Sequence, residues 1–375
     1  MTFPHYLSTL SLQQWVSESL LCVSKDVEKC LSKQTFTLQD LPILLSPAST
    51  PFIETMAQKS HQLTVQRFGK TMQLFIPLYL SNECMNTCTY CGFSRQYPYE
   101  RVTLSEKDIL AEGRSLAQKG FQHLLLLTGE SPKKVDARYI EHAVTLLSPL
   151  FSSIGIEVQP LETPEYASLI QAGCDSLTLY QETYHPDAYK AYHLFGKKKN
   201  YHYRLESPER AAAAGFYRMN LGVLLGLYDF RFEALALAYH LHFLQKQYWK
   251  IHYGVSFPRI KEMVGNFKIQ YPVCDLDFVK IICAFRLIFP DLLISLSTRE
   301  SPVLRNHLIP LGITQMSAES STAPGGYSGS NAEKQFEISD HRPLSEICDT
   351  LIQKGYDPIF KNWDPLPHHI SCLSE

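Results

Sequence analysis

From Met72 to Ser317 the chain alternates short, nearly continuous apolar runs with longer stretches in which apolar residues recur at helical spacing. The runs Gln73–Tyr79, His123–Thr128, Gly155–Gln159, Ser176–Gln181, Met219–Leu225, His252–Phe257, Leu292–Ser297 and Ile313–Ser317 predict eight strands. Helical periodicity covers Leu104–Lys119, Pro164–Gln171, Pro208–Ala214, Arg231–Gln247, Asp277–Ile288 and Val303–Ile309 between them. Strands that are apolar on both faces belong in a parallel sheet covered by helices. Eight strand–helix units of the α/β class are accommodated most economically by a closed (β/α)8 barrel of the TIM type. An open doubly wound sheet alternates in the same way, so the count favours closure without requiring it.

Residues 1–70 have a different texture. Ser11–Val23 and Pro51–Arg67 carry apolar residues at helical spacing, with Ser or Thr near their starts, and predict an N-terminal helical extension packed on the barrel. Residues 71–375 then form the barrel and a short C-terminal tail. No fixed-period repeat interrupts this plan. The stretches Gly196-Lys-Lys-Lys-Asn200 and Pro324-Gly-Gly-Tyr327 read as solvated loops, and neither has the full spacing of a phosphate loop.

Composition narrows the function classes. With 45% hydrophobic and 12% aromatic residues the chain can bury a large core, and a formal charge of -2 gives no broad electrostatic footprint for nucleic acid or an anionic membrane. No apolar run approaches the roughly 20 residues of a membrane-spanning helix. The start Met1-Thr-Phe-Pro-His has neither the charge nor the apolar stretch of a secretory signal, so a cytoplasmic location is expected. There thiols stay reduced, and clustered cysteines bind metal or do chemistry more often than they form disulfides. Cys22, Cys30, Cys174, Cys274, Cys283, Cys348 and Cys372 are scattered and read as small apolar side chains.

The remaining three are not scattered. Cys84-Met-Asn-Thr-Cys88-Thr-Tyr-Cys91 places three thiols on one short segment directly after the first predicted strand, where barrel enzymes put their active sites. A structural zinc site takes four ligands, whereas a four-iron cluster held by three cysteines leaves one iron open to a non-protein ligand. A zinc site completed by a distant ligand is the competing reading. The CxxxCxxC spacing, with aromatic Tyr90 before the last cysteine, resembles the radical S-adenosylmethionine superfamily. That resemblance implies a [4Fe-4S] cluster on Cys84, Cys88 and Cys91 whose open iron chelates the methionine part of S-adenosylmethionine. It also implies cofactor contacts at later strand ends. Thr128-Gly129-Glu130 resembles the segment that accepts hydrogen bonds from the methionine ammonium. Glu182 takes the place of a ribose ligand, and Arg204 that of the fork on the methionine carboxylate. Gly222-Val223-Leu-Leu-Gly226-Leu-Tyr-Asp229 resembles the strand whose backbone approaches adenine, with Asp229 in place of the usual glutamate.

A closer resemblance runs from Leu44-Leu-Ser-Pro47 to Lys361-Asn-Trp-Asp364. Pro77-Leu-Tyr79-Leu-Ser-Asn-Glu-Cys84, Val158-Gln-Pro-Leu161, Tyr180-Gln-Glu-Thr-Tyr184, Leu296-Ser-Thr-Arg299-Glu-Ser-Pro302 and Pro324-Gly-Gly-Tyr327 are similar to the 2-iminoacetate synthases, the tyrosine lyases of thiamin thiazole biosynthesis. The resemblance implies radical cleavage of the L-tyrosine Cα–Cβ bond to 2-iminoacetate and 4-methylphenol. Arg299 would hold the tyrosine carboxylate, Ser317 would add a hydrogen bond and Tyr79 would line the slot for the ring. It further implies thiazole synthase (ThiG) as receiver of the product and a flavodoxin or ferredoxin as electron donor. The tyrosine lyases of hydrogenase maturation and a tryptophan lyase are the nearest alternatives. The former carry a second, C-terminal cluster, for which this tail offers only Cys348 and Cys372. A scaffold that keeps the cluster without catalysis is the alternative from another class. The sequence follows the family through Phe257-Pro-Arg259 and then departs from it, which bears on the loop after the sixth strand.

Overall fold

A computed structural model describes residues 2–261 and 267–360. The Lys361–Asp364 stretch and Cys372 lie outside the described residues. Eight parallel strands form the barrel: β1 Thr71–Ser81, β2 His123–Thr128, β3 Ser153–Glu157, β4 Ser176–Glu182, β5 Arg218–Val223, β6 His252–Ser256, β7 Leu293–Leu296 and β8 Gln315–Ser317. The order is sequential, and β8 returns to pair with β1 through Gln73–Gln315, Leu74–Met316 and Phe75–Ser317, which closes the sheet. Closure settles the choice against an open doubly wound sheet. A ninth strand, β9 Asp357–Ile359, pairs with the start of β1 and was not anticipated.

The period-two geometry of β1 explains why its sequence reads as a continuous apolar run. Leu74, Ile76, Leu78 and Leu80 are fully buried in the main hydrophobic core, while Gln73, Phe75, Pro77 and Tyr79 line the barrel interior. The interior changes character along its axis. At the strand starts Gln73 contacts the ring nitrogens of His123 and accepts a hydrogen bond from Gln315, making a polar floor. Toward the strand ends it is lined by Leu125, Leu127 and aromatic side chains.

The covering helices start where capping chemistry permits. Ser105 accepts from the Asp108 amide and Asp108 returns to Ser105, opening the helix Glu106–Gln118. A further helix, Ala137–Leu147, is capped by Asp136 and buries Ile140, Ala143, Val144 and Leu147 at the spacing of one helical face. Most predicted elements shift by one or two residues. The third strand begins at Ser153 and leaves the sheet after Glu157, just before Gln159-Pro160, where the proline has no amide to donate.

Among the N-terminal helices, Ile53–Phe68 docks through Ser60 and His61, whose side chains meet the Leu311 and Pro310 carbonyls. Phe3 is fully buried, stacks at 3.7 Å on His240, and its amide donates to Glu209. Beyond β8 the chain crosses the barrel mouth before the helix Leu344–Gln353. This excursion is fastened by the buried ion pair of Arg305 and Asp340. Here the expectation of a solvated loop at Pro324–Tyr327 fails: Tyr327 donates from its hydroxyl to Pro77 O at 2.6 Å, and its amide donates to Glu112.

Candidate active site

The three clustered cysteines lie on the loop that leaves β1. That loop is held from both sides. The Gly129 amide donates to Ser81 O and the Met85 amide to Glu130 O, each at 2.9 Å, so the end of β2 runs alongside the cysteine loop. A Cβ on Gly129 would lie 2.2 Å from Glu83 O, so this approach requires glycine. On the far side Arg101 donates to the carbonyls of Asn82, Phe93 and Ser94. Thr87–Cys88 pairs antiparallel with His193–Phe195, a small second sheet not foreseen from the sequence. Tyr90 is buried beside it, its hydroxyl 2.7 Å from His193 Nε2.

Burial raises the pKa of all three thiols, that of Cys84 to about 11. At Cys91 the Lys198 ammonium, the Phe93 amide and the Gln335 side-chain amide act the other way. Iron binding requires thiolates, and amide donors with a nearby ammonium stabilise them. Among the described residues no three His, Cys, Asp or Glu side chains converge as ligands of one ion would. A four-iron cluster makes no such demand, because each thiolate binds a different iron. The donor set therefore fits the cluster better than zinc.

Beside the cysteines four charged side chains form a closed network. Arg204 donates to Glu130 at 2.8 Å and to Tyr180 O at 2.7 Å, and stands 3.7 Å from Glu182. Lys198 donates to Glu182 at 2.7 Å and lies 3.8 Å from Glu130. Asn86, between the first two cysteines, donates to Glu130 and accepts from the Lys198 amide, tying the network to the cluster loop. The sequence places Lys198 in a solvated loop; in the structure its side chain is 12% exposed. The reason is tertiary: the short strand His193–Phe195 carries Gly196–Asn200 onto Asn86, and a Cβ at Gly196 would meet Asn86 Oδ1 at 2.1 Å. Burial would push Glu130 up, but Arg204, Lys198 and Asn86 hold it below the ordinary carboxylate value. Burial and Arg204 oppose the charge on Lys198, yet Glu182 and Glu130 keep its pKa above the usual lysine value.

Glu182 reaches this network through a bulge in β4 and adopts φ 71°, a left-handed conformation costly for a side-chain-bearing residue. Its carbonyl accepts from the Leu224 amide, and it pairs in register with the fully buried Val223. Gly222 has a packing cause: a Cβ there would lie 2.5 Å from the Tyr180 ring and 2.7 Å from Ser256 O. Asp229, in place of the usual glutamate, caps the helix Phe230–Gln247 by accepting from the Arg231 amide. Buried Thr128 Oγ1 and Gln181 Nε2 have no hydrogen-bond partner among the described residues, which leaves polar capacity at this rim for a polar cofactor.

A cavity lies within the barrel, below the cysteine loop. Arg299, from the end of β7, stacks 3.3 Å over the Phe336 ring, and no carboxylate pairs with it among the described residues. Ser317 accepts from the Thr298 amide at 3.1 Å, leaving its own hydrogen to donate. Tyr79 donates to Gln335 at 2.7 Å, and Gln335 reaches Cys91 Sγ at 3.8 Å. This chain of contacts connects the cavity to the cysteine loop. Two members were missed from sequence. Gln335 lay in the supposed tail and carried no local signal. Glu157 falls inside the run Gly155–Gln159 predicted as the third strand, and only the structure, in which that strand stops at Glu157, puts its carboxylate at the C-terminal end where barrel sites lie. Arg259, where the sequence leaves the family pattern, is committed to ion pairs with Glu300 and Asp275.

Comparison with known proteins decides the family. The chain is 44% identical over 341 residues to the 2-iminoacetate synthase of Escherichia coli strain K12, covering 90% of each. The chain belongs to the 2-iminoacetate synthase family. The corresponding synthase of Salmonella typhimurium is equally similar, at 44% identity and 90% coverage. The radical SAM superfamily matches residues 78–238, and the biotin and thiamin synthesis associated domain matches residues 256–357. Among solved structures, the [FeFe]-hydrogenase maturase HydG has a TM-score of 0.89 at 30% identity, over 94% of this chain and 80% of that one. As a 2-iminoacetate synthase family member and radical SAM enzyme, the chain uses a [4Fe-4S] cluster and S-adenosylmethionine. Among the described residues, no helix is long and apolar enough to cross a membrane.

Proposed function

We propose that this enzyme cleaves the Cα–Cβ bond of L-tyrosine to 2-iminoacetate and 4-methylphenol, for the thiazole moiety of thiamin, with Arg299, Ser317 and Tyr79 handling the substrate. The observation that carries the reading is a guanidinium with no carboxylate partner among the described residues, in a largely apolar cavity connected through Tyr79 and Gln335 to the three-cysteine loop. Bound, the cluster and S-adenosylmethionine supply a 5′-deoxyadenosyl radical. The protein has to hold, orient and shield its target. Arg299 offers a bidentate fork to the amino-acid carboxylate, Ser317 a hydroxyl donor, and the wall of Leu125, Leu127 and Phe257 excludes water around the ring.

On the cofactor side, Cys84, Cys88 and Cys91 would hold the cluster. Glu130, with Thr128 and Gly129, would receive the methionine ammonium, Arg204 its carboxylate and Glu182 the ribose. Tyr90 and the backbone of Gly222–Val223 would border the cofactor. Residues 1–70 would serve as an extension on the barrel, and 71–375 as the barrel with its C-terminal tail, of which 361–375 lie outside the described residues. An imine that hydrolyses in water calls for a direct receiver, thiazole synthase, and a flavodoxin or ferredoxin supplies the electron, all in the cytoplasm.

The test is anaerobic reconstitution with iron, sulfide, S-adenosylmethionine and reductant, offering L-tyrosine and L-tryptophan separately. Tyrosine-dependent 4-methylphenol is expected. Consumption of tryptophan instead, or cofactor cleavage that leaves both amino acids intact, would overturn the assignment.

A further inference from the structure

Glu157 has no place in the contacts assigned so far. It is the last residue of β3 and lines the same cavity as Arg299, Ser317 and Tyr79. The other carboxylate lining that cavity, Glu300, is committed to Arg259 and Lys261. Glu157 makes no ion pair among the described residues. The groups that act on it electrostatically come from several elements: Glu182 and Tyr180 on β4, Arg299 after β7, Lys198 and Arg204 after β4, and Tyr79 on β1. A zwitterionic amino acid whose carboxylate sits on Arg299 carries its ammonium on the adjoining Cα. A buried cavity then needs a counter-charge for that ammonium, or a group that removes its extra proton.

We infer that Glu157 is the cavity's base, taking one proton from the ammonium of bound tyrosine so that the radical meets a neutral amine. In this step one N–H bond breaks, one carboxyl O–H bond forms, and no electrons change hands. The inference rests on the tyrosine-lyase reading given above. Burial, with a contribution from Glu182 and against Arg299, raises the Glu157 pKa to about 7, so the carboxyl is poised to exchange protons near neutrality. Its carboxylate form grows as pH rises through that value. The acid limb of the pH profile should therefore belong to Glu157 itself.

The experiment compares wild type, Glu157→Gln and Glu157→Asp as cluster-loaded enzymes, measuring iron content, S-adenosylmethionine affinity and kcat/KM for tyrosine between pH 5.5 and 9.5. In Glu157→Gln, iron content and cofactor affinity should match wild type. Its kcat/KM near pH 7 should fall by about 10²–10⁴, as expected for removal of a general base. The acid limb near pH 7 should disappear and activity should rise only near the ionisation of a free α-amino group, about 8 or above. Glu157→Asp should keep an acid limb at reduced rate. It remains informative if the glutamine variant does not fold. A Glu157→Gln enzyme with the wild-type pH profile, whatever its rate, overturns the assignment, as does a Glu157→Asp enzyme without an acid limb. If wild type itself leaves tyrosine intact, the tyrosine reading fails first. If wild type consumes tyrosine and the variant profiles are unchanged, only the role of Glu157 falls.

Discussion

Lys198→Met tests the charged network most sharply, because sequence and structure assign this residue opposite environments. In a solvated loop the substitution would stay within about 0.5 kcal/mol of neutral. In the structure Lys198 lies 2.7 Å from Glu182 and 3.8 Å from Glu130, and all three side chains are only 10–12% exposed. Removing one partner of an isolated buried pair costs about 3–5 kcal/mol, and here Glu182 would keep only its longer 3.7 Å approach to Arg204. That remaining approach to Arg204 relieves part of the cost, so about 3 kcal/mol is the working figure. At about 2 °C per kcal/mol, the lower end for large domains, the melting temperature of the cluster-free protein should drop by about 6 °C. Calorimetry at fixed scan rate reads this directly. A double variant, Glu182→Gln with Lys198→Met, removes the stranded carboxylate and should recover most of the loss, giving a coupling energy of at least about 1 kcal/mol. A melting temperature unchanged in Lys198→Met, or a loss equally large in the double variant, would refute the network.

Alanine at any one of Cys84, Cys88 or Cys91 should abolish the cluster, read by iron content and visible absorption. Arg299→Leu should lower tyrosine affinity by about 10²-fold or more, the loss of a charge-assisted bidentate contact of about 3 kcal/mol, while cluster content stays at wild-type level. Phe3→Ala deletes a fully buried ring stacked on His240 and should cost about 3 kcal/mol in urea-induced unfolding. Gly129→Ala forces a Cβ to within 2.2 Å of Glu83 O, and should reduce iron retention more than it reduces stability.

The barrel was legible because its signal is local and repeated. Most of the strands read as short apolar runs, and most are followed by a helical period; the helix Ala137–Leu147 between the second and third strands has no counterpart among the predicted helices. The cysteine loop was legible for the same reason, since its spacing lies within one short segment. What escaped depends on contacts between distant parts of the chain. Three consecutive lysines look solvated until His193–Phe195 pairs with Thr87–Cys88 and carries Lys198 beneath the cofactor rim. Gln335 meets Cys91 across 244 positions, in a segment with no pattern of its own. The left-handed backbone of Glu182 has no sequence signature either, because nothing local marks a glutamate for φ 71°. Glu157 is an intermediate case: a carboxylate within the apolar run Gly155–Gln159 stands out, but its place at the strand end depends on where the strand leaves the sheet.

The measurement closest to the central claim is a time course of 5′-deoxyadenosine and 4-methylphenol from the anaerobic, cluster-loaded enzyme, with and without L-tyrosine. Both products should rise together in near-equal amounts when tyrosine is present, and 4-methylphenol should be absent without it. Formation of 5′-deoxyadenosine with no 4-methylphenol, tyrosine being recovered intact, would contradict the account.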